Sequence, residues 1–384
     1  MTSTLFNTPV NRQGTSSLKW DKYKDRDILP MWVADMDFQS PPEIIKALNE
    51  RVAHGVFGYT SPPDSLEEVV VERLNNLYDW PIEKEWLDWT PGLVCALNIS
   101  VRAFAEENEC VIVPCPVYYP FLTAPPLAKR QMLQIFWRRQ GDTWELDWDW
   151  LEKNVTRDTR LFLLCNPQNP NGRVLTRAEL VRLECFCKKH HLVVCSDEVH
   201  CDLILDKNCQ HIPYASISDY ARENSITLMS PSKTFNVAGL GCAYAVIPNP
   251  ELREKFRKTR QGIVPSPDSM IFGFTAAEAA YRSGEPWRQS LLEHLRQNHD
   301  YLLEHINAIP GLSMTPHQAT YLAWVECDLP GIKNPDSFFE QHGIGLTGGA
   351  PFGDPNCVRL NFGCTFNLLK EGVERIKKAV ATLT

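Results

Sequence analysis

The segment at residues 226–241, ITLMSPSKTFNVAGLG, places one lysine between two apolar runs. The first run, residues 226–229, predicts a short buried strand, and residues 235–240 add apolar side chains on the other side. Lys233 is therefore expected to be enclosed at the end of a strand, although most lysines are solvated surface residues. Enclosure weakens the preference for the charged form, so the neutral amine becomes available to attack a carbonyl carbon.

Similar short apolar runs recur along the chain, separated by stretches with helical periodicity. The runs that predict strands lie at residues 111–113, 161–165, 192–195, 226–229 and 242–247. A helix is predicted to start after Thr176, because Thr176 and Glu179 match a capping box. Continuous apolar strands that alternate with helices predict an α/β fold with a mostly parallel sheet covered by helices. Ligands of such sheets bind beyond the carboxyl ends of the strands.

The length of 384 residues suits two domains. Residues 51–285 carry the alternating pattern and are predicted to form a large domain that binds the ligand. Residues 286–384 contain strand candidates and a final helix, which predict a smaller α/β domain. Residues 1–50 are expected to contribute to this smaller domain.

Composition and charge exclude several classes of partner. Hydrophobic residues make up 43% of the chain and charged residues 22%, which is ordinary for a globular protein. The 39 basic and 47 acidic residues give a net charge of −8, so nucleic acid and anionic membranes are not expected as partners. The N-terminal sequence lacks a basic region followed by an apolar core, and no stretch matches a membrane span. A cytoplasmic location is expected.

The cysteines do not indicate a metal site. Their number, 13, is odd, and many lie inside apolar strand-like runs. Cys185 and Cys187 form a Cys-x-Cys pair without a second pair at zinc-finger spacing. The cysteines are therefore interpreted as small buried apolar residues, and no metal is expected.

Polar motifs follow the predicted strands. NPQNPNG follows Cys165, SDEVH begins after Cys195, and SPSK follows Met229. Each motif alone has an ordinary explanation, such as a helix cap for Asp197 or a turn for Asn169. Beside a lysine-bound aldehyde cofactor, however, a carboxylate can pair with a protonated ring nitrogen and an amide can bond a ring hydroxyl.

Two further motifs suit the same kind of ligand. TPG, residues 90–92, precedes a helix whose free N–H groups and positive dipole end can bind a phosphate. Tyr118, in PVYYPF, is either a core aromatic or a residue that stacks on a flat ring.

The ordered series TPG, PVYYPF, NPQNPNG, SDEVH and SPSK resembles the pyridoxal-phosphate enzymes of fold type I, the aspartate aminotransferase fold, over nearly the whole chain. The resemblance implies that Lys233 forms a Schiff base with pyridoxal 5′-phosphate and that Asp197 pairs with the pyridine nitrogen. It also implies a homodimer. The other implied roles are Asn169 at the ring hydroxyl, Tyr118 on the ring, Gly92, Leu93 and Ser230 at the phosphate, Tyr59 at the phosphate of the neighbouring subunit, and Arg359 at the substrate carboxylate.

Two departures narrow the resemblance. Many aminotransferases of this fold carry a tyrosine three residues after the aspartate and an arginine eight residues after the lysine, where this chain has His200 and Gly241. His200 is still expected near the ring hydroxyl, whereas the phosphate loses a cationic partner. With MWVADMDF at residues 31–38 and TYLAW at residues 320–324, the chain resembles the cystathionine β-lyases that include cystalysin. In that branch, Ala34 is expected to line the substrate pocket.

The activity that this resemblance implies is cleavage of L-cystathionine or related cysteine derivatives to pyruvate, ammonia and a thiol. Two alternatives stay open. A class I/II aminotransferase acting on an amino acid and a 2-oxo acid needs the same residues, so the sequence does not separate it from a lyase. The other is a pyridoxal-phosphate-binding regulator. One known kind carries an extra helix-turn-helix domain, which is not expected here because the fold pattern begins almost at the first residues of this sequence.

Overall fold

The computed structural model describes residues 5–264 and 269–383. Its strands are β1 Leu29–Pro30, β2 Leu87–Thr90, β3 Cys110–Cys115, β4 Gln131–Gln140, β5 Thr143–Leu146, β6 Thr159–Cys165, β7 Val193–Asp197, β8 Ser225–Met229, β9 Ala243–Val246, β10 Leu312–Ser313, β11 Leu322–Cys327, β12 Ile344–Gly345, β13 Thr347–Gly348 and β14 Cys357–Asn361. Its helices are α1 Leu18–Asp21, α2 Pro42–His54, α3 Asp64–Tyr78, α4 Leu93–Phe104, α5 Pro120–Leu127, α6 Trp148–Asn154, α7 Arg177–His190, α8 Asp219–Glu223, α9 Pro250–Ile263, α10 Ile271–Ser283, α11 Glu285–Asn307, α12 Pro335–Gln341 and α13 Phe366–Ala381.

A large sheet of eight strands organises the molecule, in the order β2-β9-β8-β7-β6-β3-β4-β5. Strands β8, β7, β6, β3 and β4 are parallel, and antiparallel pairs occur only towards the two edges. Alternate residues of β6 pack on different helices, because Leu163 lies in the core beside α4 and Leu164 in the core beside α7. The predicted α/β fold with a mostly parallel, helix-covered sheet is confirmed.

The register of the central strands aligns their carboxyl ends. Cys165 of β6 pairs with Asp197 of β7, and Asp197 pairs with Leu228 of β8. Because neighbouring parallel strands end at the same edge of the sheet, the polar segments after them meet there.

Helix boundaries agree with the sequence patterns to within a few residues. The predicted capping box is present, since the Thr176 hydroxyl oxygen accepts a hydrogen bond from Glu179 N–H and the Glu179 carboxylate accepts one from Thr176 N–H. Residues 250–307 contain α9, α10 and α11. Residues 265–268 of that stretch lie outside the described residues.

The antiparallel hairpin of β4 and β5 was not predicted. Trp137 pairs with Leu146, and Arg139 pairs with Trp144. The second half of β4 alternates between buried and partly exposed residues and carries two arginines, so it lacks the continuous apolar run of the central strands.

The C-terminal part contains a second sheet, antiparallel, in the order β10-β11-β14-β13. The N-terminal segment joins it, because β1 pairs with β12 and Asn361 N–H donates to the Met31 carbonyl oxygen at 2.9 Å. Asp37 N–H likewise donates to the Gly363 carbonyl oxygen at 2.9 Å. These bonds fix residues 31–37 along the end of β14.

Cysteines and long helices give no sign of a metal site or a membrane span in the described residues. All 13 cysteines are free, and no cluster of three or more His, Cys, Asp or Glu in the described parts could hold a metal ion. No helix within residues 5–264 and 269–383 has the length and apolar character needed to cross a membrane.

Candidate active site

A cavity of about 170 Å³ lies at the carboxyl ends of the central strands. It brings together residues from six separate motifs of the sequence. The predicted site residues that line it are Ala34, Gly92, Leu93, Tyr118, Asn169, Asp197, His200, Ser230 and Lys233.

Lys233 follows β8 and is partly buried in this cavity. Its amine donates a hydrogen bond to the Ala34 carbonyl oxygen at 2.8 Å. Burial lowers the pKa of Lys233 to about 8, and the positive charge of Arg359 contributes to the decrease. About a tenth of the amine is therefore neutral at pH 7, far more than for an exposed lysine, in the direction that enclosure predicted.

Asp197 is the last residue of β7, and its carboxyl group is buried. One carboxyl oxygen accepts a hydrogen bond from Val199 N–H at 3.1 Å. In the described chain no cationic side chain forms an ion pair with this carboxylate. Burial raises the pKa of Asp197 to about 7, with the Glu198 charge adding to the rise. A cation bound opposite this carboxylate would stabilise its ionised form.

Arg359 projects from β14 and adjoins the cavity through Asn169. Its guanidinium donates to the Asn169 side-chain oxygen at 3.1 Å and to the Trp32 carbonyl oxygen at 3.2 Å. Only 4% of the residue is exposed, and no carboxylate in the described parts pairs with it. Burial lowers the pKa of Arg359 to about 10. This buried, unpaired guanidinium is suited to a carboxylate ligand.

Asn169 can donate from its amide nitrogen, because its side-chain oxygen already accepts from Arg359. Its backbone oxygen accepts from Tyr118 N–H at 3.0 Å, which fixes the aromatic residue beside it. Tyr118 is partly buried, and burial raises its pKa, so the phenol stays protonated.

His200 lies 2% exposed at the base of the cavity. Burial and the charges of Lys233 and Arg359 lower its pKa to about 3, so the imidazole is neutral. Its Nδ1 atom has no hydrogen-bond partner. The ring lies edge-on to Tyr321, with 6.2 Å between ring centroids.

Tyr321 is a residue of this neighbourhood that the sequence analysis did not single out. Its hydroxyl donates to the Ala34 carbonyl oxygen at 3.0 Å, the same atom that accepts from Lys233. Its one signal in the sequence is its type, an aromatic residue with a polar hydroxyl within the TYLAW motif.

One end of the cavity is suited to an anion. Helix α4 begins at Leu93 after Gly92, which provides no side-chain cap, so the first backbone N–H groups have no intrahelical partner. The Ser230 hydroxyl lies beside them, donating to the Cys242 carbonyl oxygen at 2.6 Å and accepting from Ser232 N–H at 3.1 Å. These groups stand where the sequence predicted a phosphate site.

Gly241, the position that lacks the arginine, has a backbone that requires glycine. Its φ is +58°, and a Cβ atom there would lie 2.9 Å from the Pro91 carbonyl oxygen. An arginine at this position would be strained unless the loop shifted. The local backbone at Gly241 therefore disfavours the arginine that would give the phosphate a cationic partner.

Tyr59 is 94% exposed and does not line the cavity of its own chain. The prediction that it serves a neighbouring subunit therefore stays a prediction.

Several known proteins are similar to this chain over nearly its whole length. PatB of Bacillus subtilis, a cystathionine beta-lyase, is 36% identical and covers 98% of this chain and 100% of its own length. The protein chain in the crystal structure of OvoB is 47% identical to this chain in sequence, and its structure has a TM-score of 0.96 over 98% of this chain and 99% of its own. Cystalysin from Treponema denticola, whose crystal structure contains pyridoxal 5′-phosphate, is 30% identical, with a TM-score of 0.94 over 99% of both chains.

The family model described as aminotransferase class I and II matches residues 26–376, which include every motif that lines the cavity. The relatives above match 98% or 99% of this chain, so the similarity extends beyond the residues that the family model matches. The chain belongs to the class I and II aminotransferase family.

Proposed function

We propose that this protein is a pyridoxal-phosphate-dependent carbon–sulfur β-lyase that cleaves L-cystathionine or related cysteine derivatives. The observation that carries the proposal is the convergence of Lys233, Asp197 and Asn169 in one cavity beside the buried Arg359. The full-length similarity to PatB supports the choice of reaction.

The residues of the cavity fit pyridoxal 5′-phosphate. The free N–H groups at the start of α4 suit the phosphate, and the Ser230 hydroxyl suits it once its proton turns away from the Cys242 carbonyl oxygen. Asp197, a buried carboxylate without a cationic partner, suits a protonated ring nitrogen. The amine of Lys233 suits the aldehyde, the Asn169 amide suits the ring oxygen, and Tyr118 suits the ring face.

When bound, pyridoxal phosphate supplies an electron sink for the electron pair released at the substrate Cα. The Asp197 carboxylate would provide a negative charge opposite the ring nitrogen. Arg359 holds the substrate carboxylate in a bidentate pair, which orients the Cα–H bond. Lys233 accepts the Cα proton at Nζ, since a pKa of about 8 leaves part of the amine neutral.

The net reaction balances without an added oxidant or reductant. The Cα–H bond breaks, Lys233 takes the proton, and the Cβ–S bond breaks as sulfur leaves with its electron pair and is protonated. One water molecule then hydrolyses the released enamine to pyruvate and ammonia. From L-cystathionine the thiol product is homocysteine.

The second candidate is a class I/II aminotransferase, which the description of the family favours. It would use the same residues for proton removal and differ in where the proton returns. The backbone at Gly241 is one point against it, because this site lacks the arginine that many aminotransferases of the fold carry there.

We infer a homodimer in which Tyr59 reaches the phosphate of the neighbouring subunit. The exposure of Tyr59 outside its own cavity supports this assignment. We also infer a large domain at residues 51–285 and a small domain at residues 286–384 completed by residues 1–50. The pairing of β1 with β12 supports the contribution of the N-terminal segment. A cytoplasmic location remains an expectation.

Steady-state assays with L-cystathionine, L-cystine and L-cysteine test the proposal, each with and without a 2-oxo acid. We expect pyruvate, ammonia and a thiol to form catalytically without the 2-oxo acid. The Lys233→Ala variant should lose this activity, and Lys46→Ala, at a well-exposed lysine, should keep it. Turnover that requires a 2-oxo acid and releases no ammonia would favour the aminotransferase.

A further inference from the structure

The Ala34 carbonyl oxygen accepts two hydrogen bonds inside the cavity. One comes from Lys233 Nζ at 2.8 Å and the other from the Tyr321 hydroxyl at 3.0 Å. A carbonyl oxygen has two lone pairs, so these two donors fill its acceptor capacity. The amine and the hydroxyl are thereby joined through one atom.

This carbonyl group is held in place on both sides. The Asn361 amide donates to the Val33 carbonyl oxygen and, at 2.6 Å, to the Asp35 carbonyl oxygen. The Asn236 side chain accepts from Met36 N–H at 2.9 Å, fixing the chain just beyond. Because the peptides around Ala34 are anchored, the direction of its carbonyl group is fixed relative to Lys233.

Tyr321 is 1% exposed, and burial raises its pKa, so it remains a donor throughout the working pH range. A hydroxyl that occupies one lone pair leaves the amine a single acceptor direction. The hydrogen bond from Tyr321 also makes the Ala34 carbonyl oxygen a weaker acceptor. The charged ammonium form of Lys233 donates more strongly than the neutral amine, so it loses more from this weakening. Both effects act on the group that removes the Cα proton.

We propose that Tyr321 is a positioning residue that acts through the Ala34 carbonyl oxygen to hold the Lys233 amine ready for proton removal at Cα. In that step the Cα–H bond breaks and the proton passes to Lys233 Nζ. The electron pair left at Cα then forms the Cα=Cβ double bond, and the sulfur leaves with the electron pair of the Cβ–S bond. The inference rests on the proposed function, because it assigns the proton to Lys233.

Tyr321→Phe tests the inference, because it removes only the hydroxyl. With L-cystathionine, we expect kcat to fall about tenfold with KM little changed. The primary isotope effect with substrate deuterated at Cα should rise, since proton removal becomes more strongly rate-limiting. A structural role of Tyr321 would not increase that isotope effect.

A second readout uses the full-length chain after removal of the cofactor. The pH dependence of acylation of the Lys233 amine reports its pKa, which should rise by about half a pH unit in Tyr321→Phe, because the unshared oxygen favours the ammonium form. The other charged or titratable groups around this amine are Asp197, Arg359, Asp35 and His200, and they are the same in both proteins.

Tyr244→Phe is the matched control, since Tyr244 is buried and its hydroxyl contacts Tyr281 rather than the cavity. It should leave the isotope effect and the Lys233 pKa unchanged. An unchanged or lower Lys233 pKa in Tyr321→Phe, or an unchanged isotope effect, would overturn the inference. A wild-type protein without lyase activity would instead contradict the proposed function, and the acylation measurement would still decide the role of Tyr321.

Discussion

At the residue scale, the site is a set of buried polar groups whose charges are not balanced within the described chain. Asp197 has a single hydrogen bond, Arg359 has no carboxylate partner, and His200 has an unpartnered nitrogen. Burial without a partner costs free energy, which a folded protein tolerates where a ligand provides the missing charge. The same groups should therefore limit the stability of the cofactor-free chain.

Asp197→Asn should stabilise the cofactor-free protein at pH 8 while abolishing lyase activity. The carboxyl pKa is about 7 in the fold against 3.8 for the free side chain, so the folded state binds more protons between these values. The destabilisation is therefore absent below about pH 4 and complete above about pH 7. We expect a gain of about 2 kcal/mol at pH 8.

Urea unfolding of the cofactor-free chains at pH 8 and pH 5 measures this difference. The advantage of Asn over Asp should shrink at pH 5, where Asp197 in the folded state is protonated. If Asp197→Asn changed the free energy of unfolding by the same amount at pH 5 and pH 8, or lowered it at pH 8, the ionised Asp197 carboxylate would not destabilise the fold.

The sequence patterns predicted which residues form the site, but they did not predict the hydrogen bonds between those residues. Lys233, Asp197 and Asn169 each follow a recognisable apolar strand, so their meeting at one edge was predictable. The bond from Arg359 to Asn169 spans 190 positions, and nothing local in either motif encodes it. The Tyr321 hydroxyl was missed because its partner, the Ala34 carbonyl, is a backbone group without a sequence signature.

At the scale of elements, the N-terminal segment places the Ala34 carbonyl through a buried ionic network. Lys19, 1% exposed, donates to Asp37 at 2.6 Å, and Arg12 contacts the same carboxylate at 2.7 Å. Trp20 Nε1 donates to it at 2.9 Å. This network ties α1 to the segment that reaches the cavity.

Asp37→Asn should destabilise the protein by about 2 kcal/mol, because the buried Lys19 ammonium loses its carboxylate partner at 2.6 Å and keeps only Asp35, at 3.9 Å. Activity should fall with it, since the segment that holds Ala34 loses its anchor. Glu152→Gln is the control, as it removes an exposed pair with Lys189 that is worth less than about 1 kcal/mol. Urea denaturation compares the two, and similar losses would refute a special role for the buried network.

Element types were predictable where apolar periodicity was strong, as in β6, β7, β8 and α4. The β4–β5 hairpin was missed because its pairing is antiparallel at the sheet edge and Arg138 and Arg139 interrupt the apolar pattern. The N-terminal segment has little regular secondary structure, since its order comes from tertiary hydrogen bonds to β12 and β14 rather than from local propensity.

At the scale of the whole molecule, we expect each active site to be shared between the two chains of a dimer. Mixing Tyr59→Ala with Lys233→Ala should restore activity, because the hybrid contains one site with its own Lys233 and the partner's Tyr59. Random exchange gives hybrids in half of the dimers with one complete site each, so about a quarter of the wild-type activity is expected.

Activity after subunit exchange, measured alongside the mass of the particle in solution, decides this point. The unmixed variants serve as controls and should stay far less active than the mixture. Failure of mixing to restore activity in a confirmed dimer would show that Tyr59 does not serve the partner's site.

Borohydride reduction of the holoenzyme followed by peptide mapping tests most directly whether the cavity holds pyridoxal phosphate on Lys233. We expect one pyridoxyl group per chain, on the peptide that contains Lys233. Recovery of the label on any other lysine, or no covalent label at all, would contradict it.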